Sequence, residues 1–467
     1  MPLINFSGIA SGIDTSALIE AILDADRKVK IAPLEKKVTE TNEETGKLKE
    51  FKTLLKSIQD MASDFRSLNG GALSKSANST DETVATATAD NDAFNTSVSL
   101  TVSTIASNST ASFNNTFASG DTVINSGAVA STVAITIGSG GTPEVVNVSV
   151  DNTTTVTEFI NDFNSASTRA IATAVNVGTS ASPSYKIVIS TLEEGTLTGD
   201  IASIADASLF FSSGNTITHA SNATFSVSGI SGSITRYSNS IDDVIPGVNL
   251  QLVKGGGVST TVTVNDDADA STETIQEFVD KYNEIVAFML ENNLIAPSED
   301  TPNGLNKFGP LAKTRIDDGA LSALRSAIAS SNYSSGSEIK ILADLGITSK
   351  QDGTINFSSA TFKSAIAKES KSVKEILADL GDLMGALESS GGTIDTYTKF
   401  GGLLDTTTNS NDESVDDLNE RISDYEALLA EKEANLRAQF ARLESLMGGL
   451  QSKQAALTSA LAGLQQK

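Results

Sequence analysis

An α+β fold is predicted from three features of the sequence. Both ends carry helical periodicity, the middle alternates apolar and small polar residues, and the charge changes where these regimes meet. Between residues 71 and 270 only Lys75, Arg169, Lys186, Arg236 and Lys254 are basic. That stretch is rich in Ser, Thr, Ala, Val, Asn and Gly. A chain of 467 residues is long enough for several domains.

The N-terminal region opens its first helix after Asp14, an N-cap residue, and SALIEAILDADRKVK continues it to a break near Pro33. A second helix is expected from Leu34 to Leu68, with Leu48, Phe51, Leu55, Ile58, Ala62 and Phe65 three and four apart. In the middle, SVSLTVSTIA, STVAITIG, EVVNVSV, SYKIVIST, ATFSVSG, VNLQLV and STTVTVN have the period of two that marks half-buried strands. A disordered linker has no reason to alternate in this way. TTTVTEFINDFNSAS interrupts them as a helix with Val156, Phe159, Ile160 and Phe163 on one face. Helices return at 271–292, 320–330 and 359–384, and Asp352-Gly353 marks a hairpin between short strands.

The tail carries the strongest periodicity. Val415, Ile422, Leu429, Leu436, Leu443, Leu450, Leu457 and Leu464 recur every seventh residue. The companion positions Leu418, Tyr425, Lys432, Gln439, Leu446, Lys453 and Ala460 are less regular. Gly448-Gly449 is a candidate joint, but the stripe keeps its register across it. At ~1.5 Å per residue such a helix runs ~75 Å, against roughly 60 Å for the diameter of a compact globule of this length. It therefore needs a partner: first the N-terminal helices, then another chain. The expected seam for self-assembly comprises these eight residues with Leu48, Phe51, Leu55, Ile58 and Phe65. The layout predicted is a rod with both termini at its foot and a β-rich head.

Little in the chain suggests chemistry. It has no Cys, which removes disulfides and thiol nucleophiles, and a formal net charge of -25, which disfavours nucleic acid and anionic membranes. His219 is the sole histidine, with nothing marking a nucleophile beside it. Asp267-x-Asp269-x-Ser271 starts like a calcium loop, but Thr272 stands where glycine is needed and Phe278 where a bidentate Glu is needed. It reads as acidic capping of the helix that follows. Gly255 to Gly257 form a turn, not a phosphate loop, and Asp242-Asp243 and Glu193-Glu194 read as surface charge. No catalytic, cofactor or metal site is expected. No apolar run long enough for a membrane span occurs, and the N-terminus lacks the pattern of a cleavable signal, its first basic residue being Arg27. The chain is expected to stay in the cytoplasm or to leave without signal cleavage.

Several segments, in order, resemble the flagellar filament cap protein family, also called flagellar hook-associated protein 2. They are FSGIASGIDTSALIEAIL (6–23), SLTVSTIA (99–106), YSNSIDDVIPGVNLQLVKGG with STTVTVNDDAD (237–269), LADLGITSKQDGTINFSSATFKSAI (342–366) and AQFARLESLMGGLQSKQAAL (438–457). Thr104-Ile105-Ala106 departs from the Gln-Leu-Ala more usual in the family. Residues 135–178 are similar to the IN-type module of flagellins. The resemblance is weakest from about residue 107 to 225.

The resemblance implies an elongated multidomain α+β protein. Residues 1–44 with 405–467 would form a terminal coiled-coil leg, partly disordered when free. Residues 45–73 with 271–404 would form a helical leg domain with a β-hairpin. Residues 74–106 with 224–270 and residues 107–223 would form two β-rich heads. It also implies a secreted structural protein at the flagellum tip, exported by the flagellar type III system without a cleaved signal. Its partners would be further copies of itself in a ring of five, flagellin, hook–filament junction proteins, and a cytoplasmic export chaperone on the C-terminal helix. The alternative is a β-rich adhesin on a helical stalk, binding host surface glycans.

Overall fold

The computed structural model describes residues 14–66, 70–297, 306–333, 336–384, 392 and 394–465, with the side chains of 297, 306 and 462–465 left aside. The expected motif at 6–13 lies outside the described residues, and the second helix ends at Asp64, short of the expected Leu68, with Phe65 and Arg66 already in a turn. The chain begins with α1 (Thr15–Lys30), α2 (Ala32–Asp64), β1 (Lys75–Ser79), β2 (Ala85–Ala89), β3 (Thr96–Thr104) and β4 (Thr110–Phe113). There follow β5 (Ser131–Ile137), β6 (Glu144–Val150), α3 (Val156–Ala166), β7 (Ala170–Asn176), β8 (Tyr185–Thr191), α4 (Gly195–Thr198) and β9 (Ile201–Ala205). Next come β10 (Asn215–Thr218), β11 (Ala223–Val227), β12 (Ile234–Arg236), β13 (Ser240–Ile245), β14 (Val248–Leu252) and β15 (Val258–Asp266). The remainder is α5 (Ala268–Asn292), β16 (Ile295–Pro297), β17 (Asn306–Phe308), α6 (Ile316–Ser330), β18 (Ile347–Ser349), β19 (Ile355–Phe357), α7 (Ser359–Met384), α8 (Asp395–Thr398) and α9 (Leu403–Gln465). The sheets described are antiparallel throughout, which with the helical ends makes the α+β class predicted.

The chain divides into two compact units. One takes residues 1–69, 273–365 and 371–467, and the other takes 70–272 and 366–370.

In the first unit α1 starts where its N-cap dictates. The Asp14 carboxylate accepts from the backbone N–H groups of Ser16 and Ala17, at 3.1 and 3.0 Å. Ile31 separates α1 from α2 and is fully buried, and Pro33 stands in the first turn of α2, where its missing N–H costs nothing. The apolar stripe of α2 meets that of α5: Phe51 stacks on Phe288 at 6.1 Å between centroids, and Phe65 tilts against Phe278 at 5.4 Å. Asn283 of α5 holds the β18–β19 hairpin, accepting from Ile355 N–H and donating to its carbonyl, both at 2.9 Å. The hairpin turn needs its glycine, since Gly353 has φ of 85°. Helix α7 is interrupted at Glu369, whose φ of -160° is not helical.

The second unit holds two cores. One is closed by a five-stranded sheet in the order β1-β15-β3-β11-β12 and a three-stranded sheet β13-β14-β2. Leu100, Val102, Phe225, Leu250, Val262 and Val264 fill it. The alternation seen in the sequence has its cause here. Apolar residues face inward, and the Ser and Thr between them pair across strands, as in Thr101–Ser259 at 2.8 Å and Ser97–Thr263 at 3.2 Å. The other core lies among the sheets β10-β4-β8-β7 and β6-β5-β9 and helix α3. It is built on phenylalanine: Phe113 stacks on Phe211, and Phe159 meets both edge-on, at 5.8 and 5.1 Å. Thr155 and Glu158 form a reciprocal capping box at the start of α3.

Asn239 joins segments far apart in sequence within this unit. Its side chain accepts from Ala106 N–H at 2.7 Å and donates to the Ala106 carbonyl at 2.9 Å and to Glu194 at 2.8 Å. Its own N–H donates to Glu194 at 2.9 Å. Asn239 is buried, so losing its amide strands several partners away from water. Asn239→Ala is expected to destabilise the unit by about 2–4 kcal/mol. A urea titration followed by circular dichroism should show the lower midpoint, and an unchanged midpoint would refute the role.

Candidate assembly surface

Helix α9 is 63 residues long, or about 95 Å at 1.5 Å per residue. It runs antiparallel to α2 and then to α1, and a ladder of polar contacts fixes the register. Lys52 pairs with Asp405 at 2.5 Å, Lys49 with Asp412 at 3.7 Å, and Glu44 accepts from Asn411 at 3.3 Å. Beyond the break at Ile31, the Lys30 ammonium lies 5.7 Å from the Tyr425 ring centroid, Arg27 pairs with Glu426 at 2.8 Å, and Asp26 with Lys432 at 2.5 Å. From Lys52 down to Asp26 the partners on α9 advance from Asp405 to Lys432, so the break does not interrupt the pairing. Gly448-Gly449 does not interrupt α9 either. Tyr425 and Lys432, both companion positions in the heptad, are among the residues that reach across to α1.

The expected seam divides into three parts. Leu48, Phe51, Leu55, Ile58 and Phe65 are shut inside the first unit, at most 1% exposed, and are closed to any other chain while it stays folded. Val415, Ile422, Leu429 and Leu436 are half-buried along the paired stretch of α9, with Leu418 and Leu404 fully buried beside them. Leu443, Leu450 and Leu457 are 46%, 61% and 64% exposed, and Leu446 and Leu461 are exposed with them. The side chain of Leu464 lies outside the described residues. Counted residue for residue from the Asp26–Lys432 contact, Thr15 comes opposite Leu443. The described part of α1 therefore ends where the leucines become bare. Periodicity could not reveal this, because a heptad shows that a helix needs a partner and not how far the partner extends.

Two of the cross-helix carboxylates titrate low. The hydrogen bond from Lys432 holds Asp26 below its usual range, and that from Lys52 does the same for Asp405. Groups depressed in the folded state stabilise it above their ordinary pKa, and that contribution is lost as pH falls through the lowered values. Acidification below the normal aspartate range should thus loosen α9 from α1 and α2. Hydrogen exchange of 405–436 read from pH 6 to pH 3 should show protection falling faster than in Asp405→Asn. A parallel fall in both chains would sink the idea.

The remaining candidates resolve into structural roles. Asp267 caps α5, accepting from Asp269 and Ala270 N–H at 3.1 and 2.9 Å. The exposed ring of His219 lies 3.0 Å from Asp200 through Nδ1. Asp243 pairs with Arg236 at 2.8 Å, and Glu194 serves the Asn239 joint rather than the bare surface. Gly256 and Gly257 take φ of 105° and 75° in the turn before β15. Among the described residues no group of three or more His, Asp or Glu is placed to hold a metal, and no helix is long and apolar enough to cross a membrane. Sequence reasoning passed over one cluster, in which Lys75, Asn95 and Asp266 meet at an end of the five-stranded sheet.

Comparison with known proteins places these features in context. Residues 11–109 match the family model described as Flagellar hook-associated protein 2 N-terminus, and residues 220–452 match Flagellar hook-associated protein 2 C-terminus. The chain is 27% identical over 427 residues to the A-type flagellar hook-associated protein 2 of Pseudomonas aeruginosa, covering 85% of this chain and 84% of that protein. To the flagellar hook-associated protein 2 of Escherichia coli it is 23% identical over 437 residues, covering 90% and 89%. Its fold is similar to the crystal structure of the D1-D2-D3 domains of the flagellar cap protein FliD from Escherichia coli, with a TM-score of 0.57 and 19% identity, covering 78% of this chain and 99% of that one.

Proposed function

Because this chain belongs to the flagellar hook-associated protein 2 family, we propose that it caps the distal tip of the bacterial flagellar filament, retains exported flagellin there and promotes its folding and insertion. The observation that carries the mechanism is the change along α9, half-buried as far as Leu436 and exposed at Leu443, Leu450 and Leu457. A cap must hold the filament end yet move on with each added subunit. A helix anchored within its own unit at one end, with an open apolar stripe at the other, meets both needs. The anchored part resists pulling and the open part exchanges partners. Wholly exposed, these leucines would forgo about 1.5–3 kcal/mol each, so they favour contact with neighbouring copies or flagellin.

We read the chain as structural rather than catalytic, working in a ring of copies. Residues 1–44 with 405–467 would serve as the leg, residues 45–73 with 271–404 as the domain that carries it, and residues 74–270 as the two heads. Before export the same bare stripe suits a chaperone. The adhesin alternative draws no support from the matched proteins named above, which are hook-associated proteins 2 or flagellar caps.

The test is rescue of a strain lacking its cap gene and supplied with the matched flagellin. Full-length protein should restore filaments. A chain ending at residue 440 keeps the paired stretch and should leave monomeric flagellin in the medium. Failure of the full-length protein would overturn the cap reading, and full rescue by the shortened one would overturn the role of the bare leucines.

A further inference from the structure

Strand β15 lies between β1 and β3. Lys75 on β1 is the register partner of Asp266 on β15. Asn95 immediately precedes β3, whose Thr96 pairs with Val264 on the other side of β15. The three side chains converge. Lys75 Nζ is 2.5 Å from Asn95 Oδ1 and 2.6 Å from Asp266 Oδ1, and Asn95 Nδ2 donates to Asp266 Oδ2 at 3.0 Å. The Lys75 side chain is 4% exposed and that of Asp266 10%.

A structural ion pair needs only Lys75 and Asp266. This site also holds the amine against an amide carbonyl, and places the carboxylate on both the amine and the amide nitrogen. Those contacts gather the groups that acyl transfer from asparagine to lysine uses: an amine beside the amide, and a carboxylate touching both the amine and the amide nitrogen. We propose that Lys75 and Asn95 join in an intramolecular isopeptide bond, with Asp266 carrying the protons.

The reaction balances without an outside reagent. A proton passes from the Lys75 ammonium to Asp266 Oδ1, and the freed lone pair attacks Cγ of Asn95. Asp266 returns its proton to Nδ2 as the Cγ–Nδ2 bond breaks. The second proton lost by Nζ also goes to the departing nitrogen, which leaves as ammonium. Lys75 and Asn95 end as a secondary amide, and Asp266 ends as the carboxylate it began as. Because the folded sheet has already brought the groups together, no encounter step remains to be overcome. The product ties β1 to β3 across β15 in a chain that has no cysteine for a disulfide.

Mass spectrometry of the purified full-length chain tests this. The intact mass should fall short of the sequence by one ammonia, and a protease digest should contain a branched peptide joining the segments of Lys75 and Asn95. Lys75→Arg, Asn95→Ala and Asp266→Ala should each lose that peptide, with circular dichroism reporting the folded sheet. Full mass in a folded wild-type chain after prolonged incubation would leave an ion pair and overturn the proposal. So would ammonia loss mapping to cyclised asparagine without a branch.

Discussion

Ile31→Asp should detach α9 from the N-terminal helices and abolish filament growth. Ile31 is fully buried at the break between α1 and α2, beside the contact of Lys30 with Tyr425. A carboxylate there gains no partner from the neighbouring contacts, since the nearby cations Arg27 and Lys30 are already engaged with Glu426 and Tyr425. Burying an unpaired charge in place of a packed isoleucine costs about 4 kcal/mol or more. Hydrogen exchange should show protection lost in both α1 and residues 415–436, while the second unit keeps its own. Leu450→Asp is the informative contrast. That residue is 61% exposed, so the isolated chain should be as stable as before. The filament should nevertheless fail to grow, because the charge falls on the bare stripe. If Ile31→Asp left exchange unchanged, the antiparallel register would be wrong. If Leu450→Asp supported normal filaments, the stripe would have no part in capping.

Phe159→Ala should cost the second unit about 3–5 kcal/mol. Phe159 is fully buried in α3 and meets Phe113 and Phe211 edge-on, so its removal opens a cavity between the two sheets and takes away two aromatic contacts. The helix itself should survive, since the Thr155–Glu158 capping box is untouched. Hydrogen exchange of peptides from β5 to β9 should report the loss of stability, with the first unit unaffected. A change below 1 kcal/mol would mean that the sheets close over the gap. Phe159→Leu should recover much of the loss by refilling the volume.

Legibility in the sequence followed how local the cause was. The strands β3, β5, β6, β8, β11, β14 and β15 were readable because each alternates within its own residues. Strands β1 and β2 were not: KSANS and ATATA have too little apolar bulk to show a period, and they are strands because β15 and β14 supply their hydrogen bonds. Caps were readable too, as Asp14 and Asp267 act on N–H groups two or three residues away. The interruption of α7 at Glu369 left no proline or glycine to mark it.

The candidate surface shows the same division. By itself the sequence determined that α9 is one long helix with an apolar stripe, that α2 is amphipathic, and that the middle is β-rich, because periodicity is a property of neighbouring residues. Only the tertiary structure decided which apolar residues are spent inside the chain and which are left for a partner. Phe51 and Leu450 both sit on apolar helical stripes; the first is buried with Phe288 against it and the second is bare. It also decided that Lys75, Asn95 and Asp266 meet, although 171 positions separate Asn95 from Asp266. Burial and encounter are set by what the rest of the chain brings alongside, and one segment's pattern carries no record of its neighbour's reach.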